Sequence, residues 1–120
     1  MSNSRYHALT GNINQHLGPM RENLPDVMQG FGALARSAMA PGALDAKTKE
    51  LIALAIGVAT RCEGCIGFHS KALVRLGATD EEIHEMLGVA VYMGGGPSLM
   101  YAASAIEAFQ EFSGAARQAS

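Results

Sequence analysis

The chain has 120 residues, of which 9 are basic and 11 acidic, so its net charge at pH 7 is -2. This near-neutral balance, without any basic run, gives no support to nucleic-acid binding, which needs a basic patch. Hydrophobic residues make up 48% of the chain, enough for one domain with its own core. The longest apolar stretch, residues 51–59, is too short to cross a bilayer, so no membrane partner is expected.

The domain organisation is simple. No charged-then-apolar leader opens the chain, which predicts a cytoplasmic protein. We interpret residues 1–120 as a single domain. Residues 1–19 are polar and are interrupted by glycines and a proline, which predicts an N-terminal arm or a short helix. Residues 20–112 then form a helical core that carries the cysteines, and residues 113–120 a frayed tail.

Two helices are predicted in the first half of the core. Residues 25–40 carry apolar side chains three or four positions apart, with Pro25 at the start and Pro41 after the end. The second helix follows the N-cap residue Asp45 and is apolar on almost every side, which predicts a central, fully buried helix. Glu50 lies near its start. We interpret this residue either as a solvated carboxylate or as a partly buried one with a raised pKa.

Both cysteines of the chain lie in one short motif, Cys62-x-x-Cys65-x-x-x-His69. On a helix these three residues share one face, and two thiols three positions apart can close a small disulfide. A helix N-terminus and a nearby base both favour the reactive thiolate. The motif therefore favours dithiol redox chemistry, with a zinc site or inert packing as the alternatives. Zinc is the weaker alternative because no second cysteine pair supplies the remaining ligands.

The rest of the chain predicts further helices. The cysteine-bearing helix ends at Gly77, and Thr79 with Glu82 forms a capping box that opens the next helix. A glycine run at residues 94–96 separates that helix from the last one, which begins near Ser98. No strand precedes the run and no Lys-Ser/Thr pair follows it, so a turn is favoured over a phosphate-binding loop. Because no stretch alternates as a strand does, the sequence predicts an all-α bundle of five or six helices.

Taken together, these motifs resemble a known family. Glu50 stands twelve residues before the first cysteine, and the segment Gly-Ala-Thr-Asp-Glu-Glu-Ile follows at residues 77–83. Over roughly residues 44–112 this pattern resembles the alkylhydroperoxidase D-like branch of the carboxymuconolactone decarboxylase family. The resemblance implies an all-helical fold assembled as trimers or hexamers. It also implies peroxide reduction by the dithiol, with a glutamate and a histidine relaying protons. The catalytic residues that it implies are Glu50, Cys62, Cys65 and His69.

The chain differs from the family's members in two ways that bear on activity. The antioxidant enzyme that typifies the family is longer and has a histidine just before the second cysteine, where this chain has Gly64. The loss of that residue is expected to lower activity or to change the substrate. The lactone decarboxylases of the family lack the cysteine pair, so their reaction is not expected here.

Helix geometry raises a difficulty for Glu50. A straight helix of twelve residues separates Glu50 from Cys62 by ~18 Å, whereas His69 lies only ~10 Å beyond Cys62. A simple antiparallel hairpin therefore does not bring the carboxylate to the imidazole. Three arrangements remove the difficulty. The first helix ends early, the second crosses it steeply, or a neighbouring subunit contributes the carboxylate.

The expected reaction is that of an antioxidant thiol peroxidase, and it needs no metal and no organic cofactor. His69, with Glu50, takes the proton of Cys65, whose thiolate attacks a small hydroperoxide; the reverse order, with Cys62 attacking first, is the alternative. Cys62 then resolves the sulfenic acid to a disulfide, which an external dithiol or a protein reductant reduces. The alternatives are a dithiol oxidoreductase for protein or lipoyl disulfides, and a non-catalytic zinc module on the motif. We also expect a homo-oligomer, because a five-helix domain can hardly bury the apolar helix at residues 51–59 alone.

Overall fold

The computed structural model describes residues 4–119, which form six α-helices and, within that range, no strand. In chain order these are α1 (Arg5–Asn23), α2 (Pro25–Met39), α3 (Ala46–Ala59), α4 (Glu63–Arg75), α5 (Asp80–Gly94) and α6 (Gly96–Ala119). The predicted all-α bundle of five or six helices is confirmed. Over the same range, none of the helices combines the length and the apolar character that a membrane span requires.

Helices α3 to α6 pack around one hydrophobic core, and α4 lies between α3 and α6. Each large aliphatic side chain buried there contributes roughly 1.5–3 kcal/mol to folding. The largest fully buried apolar side chains of the core are Tyr6, Leu54, Val58, Ile66, Leu73 and Ile83. Helix α6 adds small residues, since Ala105 and Ala108 are fully buried, and these allow a close approach to α4.

Helix α1 is longer than the arm or short helix predicted for residues 1–19. It continues through Pro19 to Asn23, whose side-chain amide donates a hydrogen bond of 2.7 Å to the Pro19 carbonyl. Its first half is docked on the bundle, because Tyr6 and Thr10 are both buried. This tertiary packing outweighs the low helix propensity of the glycines and the proline, on which the prediction of a short element depended.

Helix α3 corrects one prediction. The sequence predicts that it is buried on all sides, and this is wrong for one side. Leu54 and Val58 face the core and are fully buried, whereas Ile52 and Ile56 are 45% and 58% exposed. When a helix is apolar on every side, its sequence does not show which of those sides the other helices of the same chain cover.

Helix α2 lies against α1 and α3 without contributing any buried residue. Three of its apolar side chains are instead more than half exposed: Val27 at 54%, Phe31 at 68% and Leu34 at 62%. We call these three side chains the α2 apolar face. The periodic pattern thus predicts the helix correctly. Among the described residues, no other element buries the α2 apolar face.

Two predicted helix starts are confirmed in atomic detail. The Asp45 carboxylate accepts the backbone N–H of Thr48 at 2.7 Å. Hydrogen bonds from the side chain and then the backbone of Thr48 lower the pKa of Asp45. Thr79 and Glu82 form the capping box, in which each side chain accepts the backbone N–H of the other residue, at 3.1 and 2.9 Å. These local contacts fix where α3 and α5 begin.

The C-terminal residues correct a second prediction. Residues 113–119 continue α6 as regular helix and do not form the predicted frayed tail, while residue 120 lies outside the described residues. Alanine, arginine and glutamine dominate this segment, and all three have high helix propensity. Gly114 alone is too weak a breaker to stop a helix that is already formed.

Candidate functional site

The cysteine motif lies at the N-terminus of α4. Cys62 is the N-cap residue, and its Sγ accepts the backbone N–H of Cys65 at 3.1 Å. Arg61, just before it, has a φ of 58°, in the left-handed region, and this turns the chain out of α3. Cys62 and Cys65 are joined by a disulfide with their Cα atoms 5.2 Å apart, and both stay partly exposed. The disulfide therefore joins two partly exposed residues at a helix N-terminus.

Glu50 and His69 meet across the α3–α4 pair of one chain. His69 Nδ1 lies 2.7 Å from Glu50 Oε1. The distance difficulty disappears because α3 ends at Ala59 and residues 60–62 turn the chain back. Glu50 then lies ~13.5 Å before the end of α3, and His69 ~9 Å after the start of α4. Two long side chains span the remaining difference of about 4.5 Å, so this contact needs no neighbouring subunit.

This hydrogen bond sets the tautomer of His69. An ionised carboxylate only accepts hydrogen bonds, so Nδ1 carries the hydrogen and donates it to Glu50 Oε1. Nε2 then keeps its lone pair and can accept a proton. Because His69 follows Cys65 by one turn on the same face of α4, the arrangement places a base next to a thiol. The Glu50 side chain is 16% exposed, so this carboxylate is partly buried and not fully solvated.

Helix α3 approaches Cys65 closely at Gly57, a residue that the sequence analysis did not single out. A Cβ atom on Gly57 would lie 3.0 Å from Cys65 Cβ and 3.8 Å from the backbone N of Ile66. Two carbon atoms pack best at ~3.5–4.0 Å, so the contact admits glycine and resists alanine. The available signal was a lone glycine inside an otherwise apolar helix, which often marks a close approach.

Helix α1 covers the opposite side of the α4 N-terminus. A Cβ atom on Gly64 would lie 2.9 Å from Ile13 Cδ1, and one on Gly67 would lie 2.7 Å from Thr10 Cγ2. Gly64 stands where the resemblance to the typical antioxidant enzyme would place a histidine. The end of the Ile13 side chain occupies the adjoining space, so an imidazole at position 64 would have to displace that side chain.

Glu63, between the two cysteines, is bound by α1. Tyr6 Oη donates to Glu63 Oε1 at 2.6 Å, and Arg5 Nη2 donates to Glu63 Oε2 at 3.0 Å. Burial and this hydrogen bond raise the pKa of Tyr6 to about 12, so its phenol stays a donor. Sequence reasoning missed these contacts because the partners lie 57 and 58 positions apart and share no periodic pattern.

Across residues 4–119, no three or more His, Cys, Asp or Glu side chains are arranged to hold a metal ion. The two cysteines are bonded to each other. The histidines outside the motif, His7, His16 and His84, are exposed.

Similar proteins share one family. The sequence profile of the carboxymuconolactone decarboxylase family matches residues 25–108, a range that contains all four predicted catalytic residues. A protein of this family from Legionella pneumophila, solved in its apo form, is 59% identical and superimposes with a TM-score of 0.89. The match covers 90% of this chain and 96% of the Legionella chain.

More distant relatives agree with this assignment. A carboxymuconolactone decarboxylase family protein from Thermotoga maritima, for which a part in the antioxidative response has been suggested, is 29% identical with a TM-score of 0.82. The match covers 92% of this chain and 94% of that one. An uncharacterized protein of Cupriavidus necator is 38% identical over 97 residues, which are 81% of this chain and 86% of its own length.

Proposed function

We propose that this chain, which belongs to the carboxymuconolactone decarboxylase family, is a thiol-dependent peroxidase that reduces hydroperoxides through Cys62 and Cys65. The observation that carries the proposal is the 2.7 Å contact between His69 and Glu50, one helical turn from Cys65. An ordinary thiol, with a pKa near ~8.5, needs such a base to ionise at neutral pH. The antioxidative part suggested for the Thermotoga relative is consistent with this activity.

The first half of the reaction oxidises Cys65. His69 Nε2 accepts the thiol proton, while Glu50 stabilises the imidazolium that forms. The thiolate attacks one oxygen of the hydroperoxide, and the O–O bond breaks. The second oxygen leaves as an alcohol, or as water, with the proton that His69 returns. Cys65 is now a sulfenic acid, and the peroxide has received two electrons.

The second half closes the disulfide. Cys62 Sγ attacks the sulfenic sulfur of Cys65, an S–S bond forms, and water leaves with the proton of the Cys62 thiol. An external dithiol then attacks the disulfide and is itself oxidised, which returns both thiols to the reduced state. Each cycle thus converts one hydroperoxide and two external thiol groups into an alcohol, a water molecule and a disulfide.

A second candidate function is favoured by the partial exposure of both cysteines at the helix N-terminus. A disulfide at this position can be reached by the sulfur of a protein or lipoyl partner. In that case the dithiol would exchange with disulfides, and peroxide would be an incidental oxidant. The two functions differ in which oxidant reacts faster with the reduced protein.

The test starts from fully reduced protein freed of reductant. One equivalent of an organic hydroperoxide is added, and the cysteines are followed by mass spectrometry of the peptide that spans them. We expect one peroxide consumed per chain, with loss of two hydrogen atoms as the disulfide forms. The Cys62→Ser/Cys65→Ser double variant is the control. Thiols that stay free contradict the peroxidase, and faster oxidation by lipoic acid than by peroxide favours the exchange activity.

A further inference from the structure

The N-terminal turn of α4 is held from two sides. Cys65 faces α3, where Gly57 allows the close approach of the two helices. Glu63 lies two residues earlier, about 200° around the helix, and is bound by α1. The one carboxylate between the cysteines is therefore kept on the side of α4 opposite to the packed face of Cys65.

Both oxygens of this carboxylate have a donor from α1. Tyr6, which is fully buried, binds Oε1, and Arg5 binds Oε2. The Arg5 guanidinium also lies over the Tyr6 ring, with Cζ 4.8 Å from the ring centroid, which adds a cation–π contact. Arg5 and Tyr6 lie outside the residues 25–108 that the family profile matches. The two contacts to Glu63 therefore come from α1, outside the matched range.

Several carboxylates lie around Arg5, and this arginine is paired with two of them. On α6, Glu107 shares the Arg5 guanidinium at 3.1 Å, and Glu111 accepts the backbone N–H of Tyr6 at 2.8 Å. This side of the α4 N-terminus therefore carries three carboxylates and one ion-paired cation. A negative charge close to a thiol disfavours the thiolate.

On the dithiol side of α4, His69 is paired with Glu50, and Arg61 precedes the first cysteine. Neither His69 nor Arg61 is bound to Glu63. The charge of Glu63 is thus compensated from α1, and the compensation depends on one arginine.

We propose that Arg5 and Tyr6 are positioning residues for the dithiol: they hold the Glu63 carboxylate on α1, away from the two sulfur atoms, and Arg5 cancels its charge so that the thiolate can form. The inference rests on the proposed function, because a dithiol that must ionise at neutral pH is what benefits from the compensation. Tyr6 supplies the orientation and Arg5 the charge.

The test measures the thiol pKa of reduced protein from the pH dependence of iodoacetamide alkylation. Arg5→Gln leaves Glu63 uncompensated, and we expect the thiol pKa to rise by about half a unit at low salt. Below that pKa, alkylation slows about threefold. Arg5→Lys keeps the charge and should restore the wild-type profile. Because Arg5 is 52% exposed, the shift should vanish near ~1 M salt, where the Debye length is ~3 Å.

The double variant Arg5→Gln/Glu63→Gln separates this effect from simple anchoring of α1. Removal of both charges should return the thiol pKa to the wild-type value, although α1 then has fewer contacts. Arg75→Ala is the matched control, since it removes one positive charge from the other end of α4, ~18 Å from Glu63, and should leave the profile unchanged. An unshifted pKa in Arg5→Gln, or an equal shift in the double variant, overturns the proposal.

The outcome is independent of the peroxide reaction, because alkylation needs no peroxide. If the thiol pKa shifts in Arg5→Gln but the protein fails to reduce hydroperoxides, the positioning role of Arg5 and Tyr6 is supported and the proposed function is contradicted. A protein that reduces hydroperoxides, but whose thiol pKa is unchanged in Arg5→Gln, supports the proposed function and contradicts the positioning role of Arg5.

Discussion

His69 Nδ1 donates a hydrogen bond of 2.7 Å to Oε1 of Glu50, a residue that lies 19 positions earlier on a different helix. The Glu50 side chain is 16% exposed and that of His69 30%, so the pair is shielded but not sealed from water. Both residues lie on regular helices, which hold the imidazole in one orientation. The bond therefore gives the site a base with a defined tautomer before any substrate arrives.

The first prediction concerns this pair. His69→Ala should slow peroxide reduction near neutral pH by roughly 10²-fold and raise the apparent pKa of the reactive thiol, because the base and its positive charge are lost. Glu50→Gln should have a smaller effect in the same direction, since the amide still accepts the hydrogen bond but does not stabilise the imidazolium. The measurement is the pH profile of thiol alkylation and of peroxide consumption. His84→Ala, on the exposed surface, is the control; an unchanged profile for His69→Ala would reduce this histidine to a packing residue.

The second prediction assigns the two thiols. Cys65→Ser should abolish peroxide consumption, whereas Cys62→Ser should allow a single turnover that ends in a trapped sulfenic acid. The reason is that Cys65 has His69 one turn away, while Cys62 has the Cys65 N–H at the helix N-terminus. Dimedone labelling followed by mass spectrometry detects the sulfenic acid. A Cys62→Ser protein that is inactive from the first turnover would reverse the assignment.

The third prediction tests the close approach of α3 and α4. Gly57→Ala should destabilise the fold by about 1–3 kcal/mol, because Cys65 Cβ cannot move without its helix. The displaced cysteine should also react more slowly with peroxide. Gly88→Ala is the matched control on α5, where a Cβ atom meets nothing within 4 Å. That variant should be stabilised by roughly 0.5–1 kcal/mol, as expected for a glycine inside a helix. Equal denaturation midpoints for the two variants would contradict the packing argument.

The fourth prediction follows from Tyr6, whose pKa rises to about 12 through burial and the hydrogen bond to Glu63. A folded-state pKa above the unfolded value of ~10 means that the phenol's contribution is complete below pH ~10 and is lost as pH rises towards 12. Tyr6→Phe should lower the free energy of unfolding by about 1 kcal/mol at neutral pH. The difference from wild type should shrink between pH 10 and 12. Denaturant unfolding at several pH values measures it, with Tyr92→Phe, at 84% exposure, as the control; a difference that stays constant with pH would contradict the shift.

The fifth prediction concerns assembly, and we propose that the protein is a homo-oligomer, a trimer or a hexamer. The α2 apolar face is more than half exposed, and so are Tyr92 and Met93 on α5, at 84% and 76%. Apolar side chains that protrude in such numbers are typical of surfaces that another subunit covers. Light scattering at low micromolar concentration should therefore give a multiple of 12.6 kDa, and a mass near 12.6 kDa itself would refute the assembly.

A pair of variants locates the surface. Phe31→Glu places a charge in the α2 apolar face and should lower the mass of the assembly. Gln29→Glu adds the same charge about 200° around the helix from Val27, and the assembly should tolerate it. Dissociation by both variants to the same extent would indicate a general charge effect and not a specific surface.

Local patterns in the sequence predict the helices well. Pro25 marks a helix start through its fixed φ at the first helical position. Asp45 and the pair Thr79 and Glu82 do so through contacts within one turn, so four residues suffice to recognise them. The same reasoning predicts that the three residues of the cysteine motif share one face of a helix. The motif's own Cys62 is in fact the N-cap of α4, one residue before the helix begins.

The rest of the site depends on contacts between distant parts of the chain. Arg5 and Tyr6 reach Glu63 only because α1 docks on α4, and nothing in the spacing of these residues predicts the docking. The role of Gly57 likewise exists only where two helices meet. The polar composition of residues 1–19 predicts an arm or a short helix. In the structure, the buried side chains Tyr6 and Thr10 instead dock a longer helix against the site.

The helices packed around the disulfide, α1 and α3, also determine the direction from which a reductant can attack. Thiol exchange requires the incoming sulfur, the attacked sulfur and the leaving sulfur to lie nearly in line. Cys65 has α3 pressed against its Cβ atom, and Ile13 of α1 covers the adjoining Gly64. We therefore expect the external thiol to join Cys62 and to expel Cys65 as the leaving group, next to the imidazole of His69. Helix packing would thus decide the regiochemistry of each reduction. A mixed disulfide with the external thiol should therefore accumulate on Cys62 in Cys65→Ser, and much less on Cys65 in Cys62→Ser.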